Sequence, residues 1–157
     1  MVSFPRLACW LGLGLGWLGA PAAAAAQAPP SITAVVERYR LARARTMEAG
    51  ATDADVTAAT ALLADSVVYE HPAAGARRVG RATLTEGMRS FLGRTRNPNI
   101  RVVRQITGRG VVVAEEQVSF EASREGGGWE RSTRTQVAVY EVRDGHITRI
   151  IEYWQPG

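Results

Sequence analysis

The sequence predicts an α+β fold: a cone-shaped α+β barrel with N-terminal helices packed on a curved antiparallel sheet. Apolar residues recur at helical spacing up to about Leu92, and from Asn99 onward the period changes to two, which is typical of strands. Helices that precede the strands in the chain favour helices layered on one face of the sheet over helices inserted between parallel strands. A curved sheet with helices across its concave face encloses a pocket for a small molecule.

The first 26 residues have the composition of a secretory signal peptide. One arginine, Arg6, precedes an apolar run from Leu7 to Leu18 and an alanine tract, and we expect cleavage before Gln27. The alternative is an uncleaved anchor, but the run is shorter than the ~20 residues of a membrane-spanning helix. We therefore expect an exported protein, periplasmic or extracellular, with one domain over residues 27–157 and no membrane contact after cleavage.

Charge and cysteine content narrow the classes of partner. The chain has 19 basic residues, all arginine, against 15 acidic residues, and Cys9 in the leader is the only cysteine. The mature chain can therefore form no disulfide. Because acids are interspersed and no basic-aromatic motif occurs, a nucleic-acid partner is not expected. Residues 77–81 are interpreted as a salt-bridged rim, or as a group that attracts an anionic substrate. A solvated helix face is the interpretation for Arg38, Arg40, Arg43 and Arg45.

Three helices and one strand are predicted in the first half of the mature chain. Ser31 caps a helix that runs to about Met47, and Asp53 or Asp55 opens a second that runs to about residue 64. A strand over residues 66–71 follows, and then a loop over residues 73–80. The third helix carries an apolar face made of Leu84, Met88, Phe91 and Leu92.

Four long consecutive strands are predicted in the second half. Turn residues at 108–110, 124–128 and 144–145 separate runs rich in valine and isoleucine. Consecutive strands joined by tight turns form an antiparallel meander.

The segment Tyr69-Glu70-His71-Pro72 carries the best candidates for chemistry. Pro72 cannot donate to a sheet ladder, so the strand must end at His71, beside a loop. Strand ends beside loops are where scaffolds present reactive groups. Alternation along the strand assigns Glu70 to the opposite face, at the surface or paired with an arginine.

Strand parity indicates two carboxylates inside the sheet. Glu152 shares a face with Ile150 and Trp154, and a buried carboxylate needs a partner. Glu116 shares a face with four apolar residues of its strand, and its alternative role is a cross-strand ion pair with Arg134.

The order and spacing of these motifs resemble those of a known superfamily. Tyr39 on a helix, the segment 64–72, the turn 79–81 and the Asp144-Gly145 hairpin that leads to Tyr153-Trp154 resemble the nuclear transport factor 2-like superfamily, and within it the SnoaL-like group. The resemblance extends from about Ser31 to Trp154. It implies the cone fold, in a superfamily that includes isomerases, cyclases, hydrolases, binding domains and protein-interaction modules.

The resemblance also implies roles for individual residues. Tyr39 corresponds to the oxyanion-donating tyrosine of ketosteroid isomerases, and His71 to their general-base aspartate before a proline. The second oxyanion donor of those enzymes, an aspartic acid, corresponds to about Ala138, so steroid isomerase activity is not implied. Glu152 corresponds to the acid/base residue of SnoaL-like polyketide cyclases.

These observations together predict a cofactor-free isomerase, cyclase or lyase that acts on a small, largely apolar carbonyl compound. His71 would take a proton next to the carbonyl, Tyr39 would donate to the enolate oxygen, and Glu152 would orient the imidazole. Each has a purely structural alternative: a strand-end imidazole bonded to loop backbone, a packed tyrosine ring, and a strand register shifted by one residue. The predicted pocket lining is Val68, Glu116, Ala138 and Trp154.

Metal and nucleotide sites are not expected. The mature chain has only His71 and His146 as histidines, and the glycines at 126–128 form a hairpin tip without the helix that a phosphate site needs. The competing hypothesis is a non-catalytic exported domain that binds a ligand or dimerises. A homodimer through the convex face of the sheet is expected from the resemblance.

Overall fold

The structure, a computed structural model, describes residues 30–155, and the predicted leader lies outside this range. Three α-helices pack against one six-stranded sheet. No helix within residues 30–155 combines the length and the apolar character needed to cross a membrane. The elements in chain order are α1 (Ile32–Thr46), α2 (Asp53–Thr60), β1 (Leu63–His71), a 3₁₀ turn (Pro72–Ala74), β2 (Ala76–Val79), α3 (Arg81–Arg89), β3 (Thr95–Gly108), β4 (Val111–Ser123), β5 (Trp129–Arg143) and β6 (His146–Tyr153).

Helix α1 begins and ends close to where the sequence predicts. The Ser31 hydroxyl accepts a hydrogen bond from the backbone N–H of Ala34 at 3.2 Å, which satisfies one of the free donors at the helix start. Its buried residues Val35, Val36, Tyr39 and Arg40 share one face because they lie three or four positions apart in pairs. As a result, Arg40 and Arg43, which the sequence predicts on a solvated helix face, point toward the sheet.

The other two helices are shorter than predicted. Helix α2 ends at Thr60, because the chain is already extended and paired with β6 at Leu63. Helix α3 ends at Arg89, so Phe91 does not join the apolar face with Leu84; its side chain is 57% exposed.

The segment predicted as a loop between residues 73 and 80 contains strand β2. Gly75 adopts φ 62°, a left-handed conformation that turns the chain after the 3₁₀ turn. Strand β2 then runs antiparallel to β1, with Arg77 opposite Glu70 and Val79 opposite Val68. A four-residue, arginine-rich edge strand has too little alternation to be distinguished from a loop by sequence.

The sheet confirms the predicted α+β class and adds one parallel contact. Its strand order is β2-β1-β6-β5-β4-β3, and all neighbours are antiparallel except β1 and β6. The predicted meander of four consecutive strands is present as β3 to β6. The sheet does not close into a barrel, because β2 and β3 are its two edges.

The core lies between the helices and the inner face of the sheet. Its apolar part includes Val36, Leu63, Val67, Val112 and Ile150, each at most 1% exposed. Several polar side chains are buried on the same inner face, and they form the site described next: Arg40, His71, Glu116, Gln136 and Glu152.

Candidate functional site

One face of α1 and the inner faces of four strands converge inside the cone. Because helix positions three apart are neighbours, Arg40 and Arg43 both point from α1 toward the sheet. Strand alternation brings the remaining groups to the inner face. They are Tyr69 and His71 from β1, Glu116 from β4, Arg134, Gln136 and Tyr140 from β5, and Glu152 from β6.

Glu116 forms a buried ion pair with Arg40, which we call the closed pair. Arg40 Nε donates to Glu116 Oε1 at 2.7 Å, and the two side chains are 6% and 2% exposed. Gln136 Nε2 donates to Oε2 at 2.9 Å and the Tyr140 hydroxyl donates to Oε1 at 3.1 Å. The alternative of a cross-strand pair with Arg134 is wrong, since Arg134 donates instead to Gln136 Oε1 at 3.1 Å.

Glu152 pairs with Arg43, and we call this the open pair because the Arg43 side chain is 24% exposed. The Tyr69 hydroxyl donates to Glu152 Oε2 at 2.9 Å, and Trp154 Nε1 lies 3.4 Å from the same oxygen. Burial raises the pKa of the Glu152 carboxyl, but the charge of Arg43 and the hydrogen bonds from Arg43 and Tyr69 outweigh it and hold the pKa below its ordinary value. Glu152 is therefore ionised at neutral pH although it is fully buried.

Tyr39 is a neutral phenol inside this charged cluster. Burial raises its pKa to about 12, with Arg43 opposing and the two glutamates adding to the shift. Its ring packs edge-on against Tyr140, with centroids 6.1 Å apart. Its hydroxyl forms no hydrogen bond within residues 30–155 and is not among the fully buried unpaired atoms, so it is an open donor.

His71 is held by Trp154. The imidazole stacks on the indole with centroids 4.1 Å apart and an interplanar angle of 20°. Nε2 lies 2.9 Å from the Trp154 carbonyl oxygen, and since a carbonyl only accepts, Nε2 carries a proton. In the neutral ring Nδ1 then has a free lone pair, and it makes no hydrogen bond in the described part of the chain.

The expected contact between His71 and Glu152 is not formed. The three side chains that donate to Glu152 are Arg43, Tyr69 and Trp154, and His71 reaches the carboxylate only through Trp154. The imidazole is oriented by a backbone carbonyl and an aromatic face, which are local to the end of β6.

The predicted pocket-lining residues are divided between the two faces of the sheet. Ala138 is fully buried directly opposite Glu152, and Trp154 is half-buried beside it. Val68 lies on the outer side of β1 with Glu70, whose carboxylate binds Arg149 at 2.6 Å. Alternation from His71 assigns the inner position to Val67, which is fully buried, so Val68 does not line the interior.

Sequence reasoning missed the arginines of the site. Arg40, interpreted as part of a solvated helix face, is only 5% exposed. The available signal was spacing, because Val36, Tyr39, Arg40 and Arg43 follow the i, i+3, i+4, i+7 pattern of a buried face. In contrast, Arg77 and Arg81 pair with Glu70 and Asp65, as expected of a salt-bridged rim.

Two surface depressions lie away from the cone. Their volumes are about 300 Å³ and 560 Å³, and the side chains of Asp65 and Arg81 border both. Neither is lined by a residue of the closed or open pair. Over residues 30–155, no group of three or more His, Cys, Asp or Glu side chains is arranged to hold a metal ion.

The fold and the polar cone define a class of protein, the nuclear transport factor 2-like α+β cone. The family model of the SnoaL-like domain matches residues 44–150. The chain therefore belongs to the SnoaL-like domain family.

Solved structures with the same fold are numerous. An LEH-like epoxide hydrolase from M. tuberculosis is 22% identical with a TM-score of 0.64, covering 79% of this chain and 82% of that one. A candidate polyketide cyclase from Xanthomonas campestris is 25% identical with a TM-score of 0.61, covering 79% and 90%. A SnoaL-like candidate polyketide cyclase from Shewanella putrefaciens is 11% identical with a TM-score of 0.67, covering 80% and 90%. No protein of curated function matches the chain in sequence.

Proposed function

We propose that this protein is a cofactor-independent enzyme that moves a proton next to the carbonyl of a small molecule, as isomerases, cyclases and lyases do. One observation carries the proposal: the cone holds an acceptor, His71 Nδ1, and a donor, the Tyr39 hydroxyl, and neither has a partner among residues 30–155. Polar groups on the inner side of a domain are normally satisfied by the protein, so an acceptor and a donor left free there are suited to a ligand.

The chemistry follows from the protonation states of the two groups. His71 Nδ1 takes the proton from the carbon next to the carbonyl, and the electron pair of the broken C–H bond moves to the carbonyl oxygen. Tyr39, still protonated because its pKa is about 12, donates a hydrogen bond to that oxygen. With a β,γ-unsaturated ketone the C=O bond then re-forms, the C=C bond shifts into conjugation, and its far carbon takes the proton back from the imidazolium, so that the bonds and charges balance in an isomerisation.

In this proposal Glu152 is a positioning residue. Its carboxylate accepts hydrogen bonds from Tyr69 and Trp154, and Trp154 in turn stacks on His71. The open pair would thus fix the indole against which the imidazole is oriented.

The test is deuterium exchange at the carbon next to the carbonyl, followed by NMR with cyclohexanone and 3-cyclohexenone as probes in D₂O. His71→Gln keeps a donor for the Trp154 carbonyl and removes the base, so we expect exchange to fall roughly 10²-fold or more. In Tyr39→Phe the exchange rate should fall about tenfold or more, because the variant lacks one donor to the oxyanion. The matched control is His146→Ala, at the exposed first position of β6, which should leave exchange unchanged.

A wild-type protein that does not accelerate exchange of either probe, or a His71→Gln variant as active as the wild type, would contradict the catalytic proposal. Probe binding without exchange would favour the alternative of a non-catalytic ligand-binding domain.

A homodimer is the second part of the proposal, and a row of apolar side chains on the outer face of the sheet favours it. Ile106, Val113, Val139 and Ile151 lie side by side in register across four strands. Ile106 is 75% exposed in the single chain. An exposed, self-complementary row suits a two-fold interface.

Light scattering after size exclusion measures this assembly. Ile106→Lys should convert a dimer into a monomer, whereas Leu41→Lys, at a position on α1 that is 62% exposed, should not. A monomeric wild type would overturn the dimer.

Export is also part of the proposal, and the leader-like composition of residues 1–26 supports it. N-terminal sequencing of protein recovered outside the cytoplasm should start at or within a few residues of Gln27. Recovery of the intact chain in the cytoplasm would contradict export.

A further inference from the structure

The guanidinium of Arg134 is held in place at the mouth of the cone, which we define as the partly exposed end of the site at Arg43, Tyr69, Arg134 and Trp154. Its Cζ lies 4.1 Å from the centroid of the Trp154 ring and 5.7 Å from that of Phe120. Its Nε donates to Gln136 Oε1 at 3.1 Å. The aromatic rings cover the planar face of the guanidinium, and Nε is engaged by Gln136. The edge that carries Nη1 and Nη2 is therefore the free part of the group.

Arg134 differs from the two other arginines of the cone in having no acid partner. Arg40 binds Glu116 and Arg43 binds Glu152, but no carboxylate within residues 30–155 lies within 4.0 Å of Arg134. Its Nη1 and Nη2 make no hydrogen bond with the described residues, and they are not among the fully buried unpaired atoms. Both nitrogens are therefore open to a ligand.

The electrostatics of this position support an anionic ligand. Burial, and then the charge of Arg43, lower the pKa of Arg134 from its usual value, and the charges of Glu152, Tyr69 and Glu116 oppose this shift without cancelling it. A half-buried cation beside another cation gains from an anion that enters the mouth.

We propose that Arg134 binds a carboxylate of the substrate through Nη1 and Nη2. A carboxylate matches the planar fork of a guanidinium and accepts two parallel hydrogen bonds from it. This inference rests on the proposed function and narrows its substrate class to small carbonyl compounds that also carry a carboxylate. It replaces the predicted apolar ligand with an amphipathic one.

The position of Trp154 connects the two ends of such a substrate. Its ring contacts both the Arg134 guanidinium and the His71 imidazole, each at 4.1 Å from the indole centroid. Trp154 therefore links the guanidinium that would hold the carboxylate to the imidazole that acts as the proton acceptor in the proposed function. Arg134 is in this respect a determinant of substrate specificity.

The test compares benzoate with its neutral counterpart benzamide by calorimetry, and follows the Arg134 Nε–Hε signal by NMR. Benzoate should bind at least tenfold more tightly than benzamide and shift that signal. Arg134→Gln should weaken benzoate binding at least tenfold, and Arg134→Lys should give an intermediate affinity because it keeps the charge and loses the fork. Arg131→Gln, at an exposed position of the same strand, is the matched control and should bind like the wild type.

Equal affinity of the wild type for benzoate and benzamide would overturn the inference whatever the variants do, as would full benzoate affinity in Arg134→Gln. The assay measures binding without turnover, so it separates the two proposals. Exchange of ketone protons without preference for benzoate would leave the proposed catalysis standing and remove the carboxylate site. Selective benzoate binding without exchange would leave the carboxylate site standing and remove the proposed catalysis.

Discussion

Two arginine–glutamate pairs lie in the same cone and differ in what surrounds them. Both arginines come from α1, three positions apart, and both glutamates come from the inner face of the sheet. In the closed pair both partners are nearly inaccessible and Glu116 accepts from three side chains. In the open pair Arg43 is one-quarter exposed and stands beside Tyr69 and Trp154, which are half-buried.

The difference indicates that the closed pair is the more firmly held of the two. A buried ion pair is costly to desolvate, and it is stable only where the remaining lone pairs and protons are satisfied. The closed pair meets this condition at every atom except Arg40 Nη2, so it fixes α1 to β4 and β5. The open pair has one partner that reaches solvent, so the Arg43 side chain can adjust, as the proposed binding of a small molecule would require.

The largest expected effect is the loss of one partner of the closed pair. Glu116→Leu leaves Arg40 buried without a counter-charge, and we expect unfolding free energy to fall by about 3–5 kcal/mol. Chemical denaturation measures it. The double variant Arg40→Met with Glu116→Leu should recover most of the loss, and a single variant as stable as the wild type would show that the closed pair is not structural.

Removal of the acid from the open pair should cost less. In Glu152→Leu the Arg43 side chain can turn toward solvent, so we expect a loss of about 2 kcal/mol, mostly from the unpaired Tyr69 hydroxyl and Arg43. The same denaturation experiment compares it with Glu116→Leu. Equal losses in the two variants would break the distinction between the pairs.

Acid should weaken the open pair in a predictable direction. Because the folded-state pKa of Glu152 is below its ordinary value of 4.5, its contribution to stability is present above that value and is lost as pH falls through the lower folded pKa. Unfolding free energy measured against pH should therefore fall more steeply in the wild type than in Glu152→Gln. Parallel curves would mean that Glu152 is not held ionised by Arg43.

The smallest effect is expected at an exposed pair of the outer sheet face. Arg104 Nε lies 2.7 Å from Glu115 Oε2, but the arginine side chain is 78% exposed. Arg104→Gln should change unfolding free energy by no more than ~0.5 kcal/mol, because solvent screens such pairs. A loss similar to that of Glu152→Leu would mean that exposure does not separate these pairs.

Much of the fold was predictable because its signals are local. The change of period near residue 99, the turn glycines and Pro72 each act over a few residues, and they predict the helices, the meander and the end of β1. The alternation of side chains along the strands was enough to predict that Glu116 and Glu152 are buried. Strand β2 and the parallel β1–β6 contact were not predictable in this way, since they depend on pairing between distant segments.

For the two buried carboxylates, the side chains that pair with them were harder to predict than their burial. Parity offered Arg134 as the partner of Glu116, but the arginine that binds it comes from α1, 76 residues away. A charged residue on an amphipathic helix is usually solvated, so sequence alone favours the wrong interpretation for Arg40 and Arg43. Only the packing of α1 against the sheet shows that these arginines are the partners of the two buried carboxylates.

The chain positions of the open pair have a consequence for how the protein folds. Arg43 and Glu152 are 109 residues apart, and both contacts of His71 with Trp154 also depend on the end of β6. Contacts between distant residues form slowly, because a long loop must close before they contribute. During synthesis, helix α1 and the closed pair can assemble while the last strand is still missing. We therefore expect the contacts of Glu152 and Trp154 to be among the last to form.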